Sequence, residues 1–88
     1  MGPLEKNTRD LIERYAFPDA TTEKVLAETA VSMAIVADGA VKNGRAHQAS
    51  TSALQLRQSI NDLREILKEK DEATDSLGAF LVEMKKAV

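Results

Sequence analysis

The feature that most constrains this chain is a stripe of apolar residues in its second half. Ala46, Ala49, Ala53, Leu56, Ile60, Leu63 and Leu67 follow one another at steps of 3-4-3-4-3-4 without a miss. That spacing places all seven on one side of an α-helix and is foreign to the two-residue period of a strand. It predicts a helix over residues 46–70 with a heptad-like, coiled-coil seam. A second seam precedes it: Leu26, Ala30, Met33, Ala37 and Ala40 step 4-3-4-3 and predict a helix over 22–42, with Val25, Val36 and Val41 widening its apolar stripe. Thr21 or Thr22 can cap this helix, and Glu23 suits its positive first turn. Gly39, inside it, costs about 1 kcal/mol of helix propensity.

Only Asn43-Gly44 and one further residue separate the two helices, with Gly44 placed to close the first in a left-handed conformation. So short a connection forces an antiparallel helical hairpin. The alanines of both helices lie towards the turn, where backbones can approach closely. The wider end is expected to pair Leu63 and Leu67 with Val25 and Leu26.

Two shorter helices flank the hairpin. Over residues 3–16, Pro3 suits the first helical position. Leu4, Leu11, Ile12 and Tyr15 share one face there, with Thr8 filling the gap. Glu5–Arg9 and Asp10–Arg14 are i,i+4 pairs in the favourable orientation, and Phe17-Pro18 ends the segment. Over residues 76–88, Leu77, Phe80, Leu81 and Met84 mark one face, with Asp75 or Ser76 as cap. No stretch alternates apolar and polar residues, so the expected fold is all-α. The chain divides into an N-terminal helix (1–18), a hairpin that is the oligomerisation core (19–70), and a linker with a C-terminal partner-binding helix (71–88).

Composition bears on how such a hairpin is stabilised. Thirteen of 88 residues are alanine, only three are aromatic, and there is no cysteine. A lone globule of this size buries roughly 60–65% of its unfolded surface, which is marginal, and no disulfide can staple it. Oligomerisation is therefore the expected source of the missing burial. The seam residues Leu26, Met33, Ala37, Ala53, Leu56, Ile60, Leu63 and Leu67 are the expected oligomer contacts. No run of 18 apolar residues and no basic-then-apolar leader is present, so a cytosolic protein without a membrane partner is expected.

Catalytic chemistry has little to work with. The single histidine, His47, sits near the turn among Ser50, Thr51 and Ser52, but no acidic orienter or glycine elbow accompanies it. Glu69, Asp71, Glu72 and Asp75 could approach a divalent cation, yet they lack a calcium-type loop and alternate with Lys68 and Lys70. No phosphate-cradling loop is present. The chain reads as a non-enzyme with no metal, cofactor or small-molecule substrate.

Charge is sorted along the chain. The formal net charge is −2, yet residues 45–70 carry five basic against three acidic groups. On that helix Arg57 and Arg64 share one edge with Lys68 nearby, while Asp62, Glu65 and Glu69 lie on the outer side. This is either an ordinary solvated helix or the register device of a head-to-tail ring, where one copy's basic edge meets the next copy's acidic side. A single copy is a weak nucleic-acid binder by charge alone, but a ring multiplies weak contacts. Lys6, Arg9, Arg14, Lys24, Arg45, Arg57 and Arg64 are the candidate DNA contacts. Leu77, Phe80, Leu81 and Met84 either dock in a partner's groove or fold back on the hairpin. Lys85 and Lys86 are too few for a membrane-surface helix.

The order of these parts resembles the small terminase subunit of tailed bacteriophages, in the short form found in phages of actinobacteria. The resemblance runs through Gly2-Pro3-Leu4-Glu5, Thr8-Arg9 and Leu11, then Leu26-Ala27 and Val36-Ala37-Asp38-Gly39-Ala40. It continues through Ala53-Leu54-Gln55-Leu56-Arg57-Gln58-Ser59-Ile60-Asn61-Asp62-Leu63, similar to that family's Ala-x-x-Leu-Arg-x-x-Leu-x-x-Leu helix, and ends at Asp75-Ser76-Leu77. It implies a ring-forming viral protein in the host-cell cytoplasm. Such a protein recognises genomic double-stranded DNA and regulates the large terminase subunit, which carries the ATPase and nuclease. It further implies that the hairpin oligomerises and the tail meets the large subunit. The competing reading is a small helical homodimer, such as an antitoxin or regulatory adaptor.

Overall fold

The computed structural model describes residues 1–70 and 72–87. Four helices follow in order: α1 (Pro3–Glu13), α2 (Thr22–Lys42), α3 (Ala46–Glu69) and α4 (Asp75–Ala87). No strand occurs among the described residues. The all-α expectation holds, and the hairpin boundaries agree with the sequence signals that predict them. Pro3 stands at the start of α1. Thr21 caps α2, its hydroxyl accepting from the Lys24 N–H at 3.2 Å. Gly44 closes α2 at φ 68°. The Arg45 N–H then donates to the Ala40 carbonyl at 2.8 Å and the Gly44 N–H to the Val41 carbonyl at 3.2 Å. These are the paired bonds of a Schellman closure, which glycine adopts without a Cβ penalty.

The helices neighbour one another in a closed circuit: α1 on α2, α2 on α3, α3 on α4, and α4 back on α1. Their core is asymmetric. From α2 come alanines alone, Ala27, Ala30, Ala34, Ala37 and Ala40; from α3 come Ala53, Leu56, Ile60, Leu63 and Leu67. Leu11 of α1 and Leu77 and Met84 of α4 complete it. The radius of gyration is 12.6 Å, close to the ~12 Å of a compact chain this long. The chain thus assembles its core from its own four helices, and the seam set aside for other copies is used up internally.

Several expectations need correction. The buried stripe of α2 runs through Ala27 and Ala34, one residue on from Leu26 and Met33, which flank the core half-buried. The leucines and isoleucine of α3 already fill the interface, so α2 must present its smallest side chains for the two axes to close. Val25, Val36 and Val41 do not widen the inner stripe; all three are exposed. Val25 therefore makes no pair with Leu63 or Leu67. On α3, Ala46 is exposed and Ala49 half-buried; both line an open hollow beside the turn with Pro3, Leu4, Ala37 and Val41.

The first helix stops at Glu13 rather than Ala16. Tyr15 and Phe17 stack with ring centroids 5.5 Å apart and an 8° interplanar angle. The Tyr15 hydroxyl donates to the Ala73 carbonyl at 3.1 Å, which draws the chain out of the helix towards the start of α4. The link to α2 then passes through Ala20 at φ 62°, a left-handed conformation that costs a residue with a Cβ about 1 kcal/mol. The expected end of the last helix, Val88, lies outside the described residues, as do the side chains of Lys85 and Lys86.

Candidate nucleic-acid interface

The seven candidate basic residues fall into separate places. Arg9 and Lys24 line the groove between α1 and α2 together with Glu13 and Glu28. Arg9 is also engaged by Glu5 at 2.8 Å, so this groove is electrically mixed. Lys6 is exposed on α1, and Arg45 is exposed at the α2–α3 turn. Arg14 donates to the Ser76 hydroxyl at 3.1 Å, tying α1 to α4; among the described residues it forms no ion pair with Asp10.

Arg57 and Arg64 differ from the rest. Seven residues apart on α3, they lie on the same face and line the groove between α3 and α4 with Gln58 and Asn61. Among the described residues, no carboxylate lines that groove. The Arg64 Nε atom is buried and has no hydrogen-bond partner. Gly78 of α4 sits beside its guanidinium, so that helix presents bare backbone there. A buried guanidinium N–H without an acceptor is costly. The groove walls are partly apolar, with Leu54 60% and Val82 54% exposed.

The face of α4 expected to meet a partner is occupied within the chain. Leu77 and Met84 are buried in the core, and Phe80 and Leu81 pack against it. Of the two readings of this helix, folding back on the hairpin is the one the structure displays. The hairpin residues expected as oligomer contacts are likewise interior: Ala37, Ala53, Leu56, Ile60, Leu63 and Leu67 are buried, with Leu26 and Met33 at the core's margin.

Two polar features had no local sequence signal. Asp38 reaches from α2 to the start of α1. It accepts from the Leu4 N–H at 3.1 Å and the Glu5 N–H at 2.8 Å, satisfying two donors that a helix start leaves open and adding negative charge at the positive end. A Cβ on Gly2 would overlap the Asp38 side chain, which explains the glycine before Pro3. The only hint was a lone acid among the small residues of Val36–Ala40. Glu23, only 10% exposed, accepts from Lys70 at 3.1 Å and fastens the start of α2 to the end of α3.

His47 is exposed, and its carbonyl accepts from the Thr51 hydroxyl within the helix. Among the described residues no group of His and acidic side chains gathers to hold a metal ion; Asp71 of the acidic run lies outside them. Among the described residues no helix is long and apolar enough to cross a membrane. Comparison with family models, with curated proteins and with solved structures found no match.

Proposed function

We propose that this chain is a small terminase subunit. It is a non-enzymatic, ring-forming regulator that recognises viral genome DNA in the host cytoplasm and recruits the large terminase subunit. The observation that carries the reading is the order of the resembling motifs along one continuously packed unit. Gly2-Pro3-Leu4-Glu5 opens α1, Leu26 to Ala40 lies in α2, Ala53 to Leu63 lies in α3, and Asp75-Ser76-Leu77 opens α4.

The α3–α4 groove is the best-placed surface for DNA phosphate. Among the described residues it brings together two guanidiniums without an ion-pair partner, and none of the described residues that line it is a carboxylate. Each phosphate neutralised releases counterions, and many copies on one duplex turn a weak groove into a tight assembly.

The test is the mass of the particle in solution, alone and with duplex DNA carrying the phage packaging start. A multi-copy ring that binds this DNA, and that captures the large subunit, supports the reading. A stable dimer without DNA affinity overturns it in favour of the homodimeric adaptor. Arg57→Ala with Arg64→Ala should weaken DNA binding and flatten its salt dependence by about 1.8 in log–log slope, if each copy spends both on phosphate.

A further inference from the structure

The outer side of α2 is an unusual surface for an exposed helix. Three columns of residues at seven-residue spacing run along it. The central column is Val25, Ser32 and Gly39; beside it lie Thr29 and Val36 on one edge and Glu28, Ile35 and Lys42 on the other. Glu28 and Lys42 are its only charged members; Glu28, with Ser32 and Ile35, also borders the groove that holds Arg9, Glu13 and Lys24, and neither Glu28 nor Lys42 takes part in an ion pair among the described residues. Val25, Ile35 and Val36 are 59%, 44% and 37% exposed. Solvent-facing helix surfaces ordinarily carry charge.

Gly39 adds a second, independent oddity. It sits inside a 21-residue helix, where glycine weakens the helix relative to alanine. Yet a Cβ there would meet nothing within 4 Å, so no contact inside the chain calls for a glycine. Thr29, the polar residue on the opposite edge, already donates its hydroxyl to the Val25 carbonyl at 2.9 Å, which lowers the cost of drying this face.

We infer that α2 packs through this face, antiparallel, against α2 of a second copy of the chain. The charges name the occupant. A two-fold axis near Ile35 sets Glu28 level with Lys42 of the second copy and, by the same symmetry, Lys42 with Glu28. A two-fold contact must be self-complementary in this sense. It also sets Gly39 within a residue of Ser32 of the other copy, so the smallest positions meet and the backbones come close, with Ile35 and Val36 at the centre. Duplex DNA has no use for a face with one lysine, and a lipid surface needs more basic residues and larger apolar ones.

The contact goes beyond the ring reading: being two-fold it closes on itself, so it joins copies in pairs beside whatever head-to-tail contact closes a ring, and an assembly built from such pairs contains an even number of copies. It uses the opposite side of α2 from the core, so it leaves the intrachain packing untouched.

The experiment measures particle mass of the full chain and its variants across a concentration series, with circular dichroism to confirm folding. Val36→Asp should weaken association at least tenfold while leaving helicity unchanged. Glu28→Lys and Lys42→Glu should each weaken it at low salt, and the double variant Glu28→Lys with Lys42→Glu should restore it. Gly39→Leu should also weaken association, and Gly39→Ala should raise the melting temperature at dissociating concentrations by about 4–8 °C. An odd copy number, association indifferent to Val36→Asp and Gly39→Leu, or no rescue by the double variant overturns the contact. The two readings fail separately. A plain dimer that obeys the charge swap keeps the contact and sinks the ring, whereas a DNA-binding ring of odd number keeps the packaging role and sinks the contact.

Discussion

The two long helices of the hairpin invert one another. The buried apolar residues of α2 are all alanine, while those of α3 are leucine and isoleucine with the single Ala53; outside, α2 is nearly uncharged while α3 carries Gln55, Gln58, Asn61, Glu65, Lys68 and Glu69. The inner difference is a division of labour in packing. Large side chains on one helix meet small ones on the other, so the axes approach without voids. The outer difference is about company. α3 is finished by solvent and by α4 along one edge, whereas α2 shows water an apolar face, bordered by α1 along one edge, on which Val25, Ile35 and Val36 are exposed. A helix with small residues on both sides is poorly anchored by either one alone, and Asp38 and Glu23 supply polar ties on its flanks.

The sharpest way to break this comparison is to place the same charge on each helix in turn. Ile60→Asp puts a carboxylate in the centre of the core and should unfold the chain, a loss of more than about 4 kcal/mol seen as collapse of the helical circular dichroism signal. Val36→Asp, on the outer face of α2, should leave that signal intact. Similar behaviour of the two variants would mean that α2 has no free outer face.

Volume tests the inner division next. Leu63→Ala removes bulk from the helix that supplies it and should cost about 2–5 kcal/mol in urea denaturation. Ala34→Leu adds bulk where none fits and should cost about 1–3 kcal/mol. If Ala34→Leu is neutral, the close approach of α2 to α3 is not what holds the pair.

The polar ties are smaller. Asp38→Ala should cost about 1–2 kcal/mol and should raise amide exchange at Leu4 and Glu5 ahead of the hairpin amides. The smallest effect is a gain: Ala20→Gly relieves a left-handed residue and should stabilise by about 0.5–1 kcal/mol, measured as a rise in melting temperature. It lies outside both helices and calibrates how much a linker contributes beside them.

Much of the fold was legible because the signals were local. Pro3, Thr21 and Gly44 mark helix ends through the chemistry of a single residue, and the α3 seam is read directly from its spacing. In the α2 seam Ala30, Ala37 and Ala40 are buried as expected, but Leu26 and Met33 give way to Ala27 and Ala34, because size misleads there. Leu26 and Met33 look like core by hydropathy, but the partner helix had already claimed the volume. The early end of α1 at Glu13 was hidden for a similar reason, since it depends on Tyr15 reaching Ala73, 58 residues away. Of the candidate site, Arg57 and Arg64 were legible as a pair by their spacing. That Gly78 and α4 lie against them, and that no carboxylate does, was not.

What the sequence determined by itself is the set of helices and the antiparallel hairpin, because capping, turn chemistry and periodicity act over a few residues. Only the tertiary structure decided which stripe of each helix faces inward, that α4 closes the core, and that the apolar outer side of α2 is left uncovered. Those outcomes depend on how side-chain volumes from distant segments share one interior, and no local pattern encodes that competition.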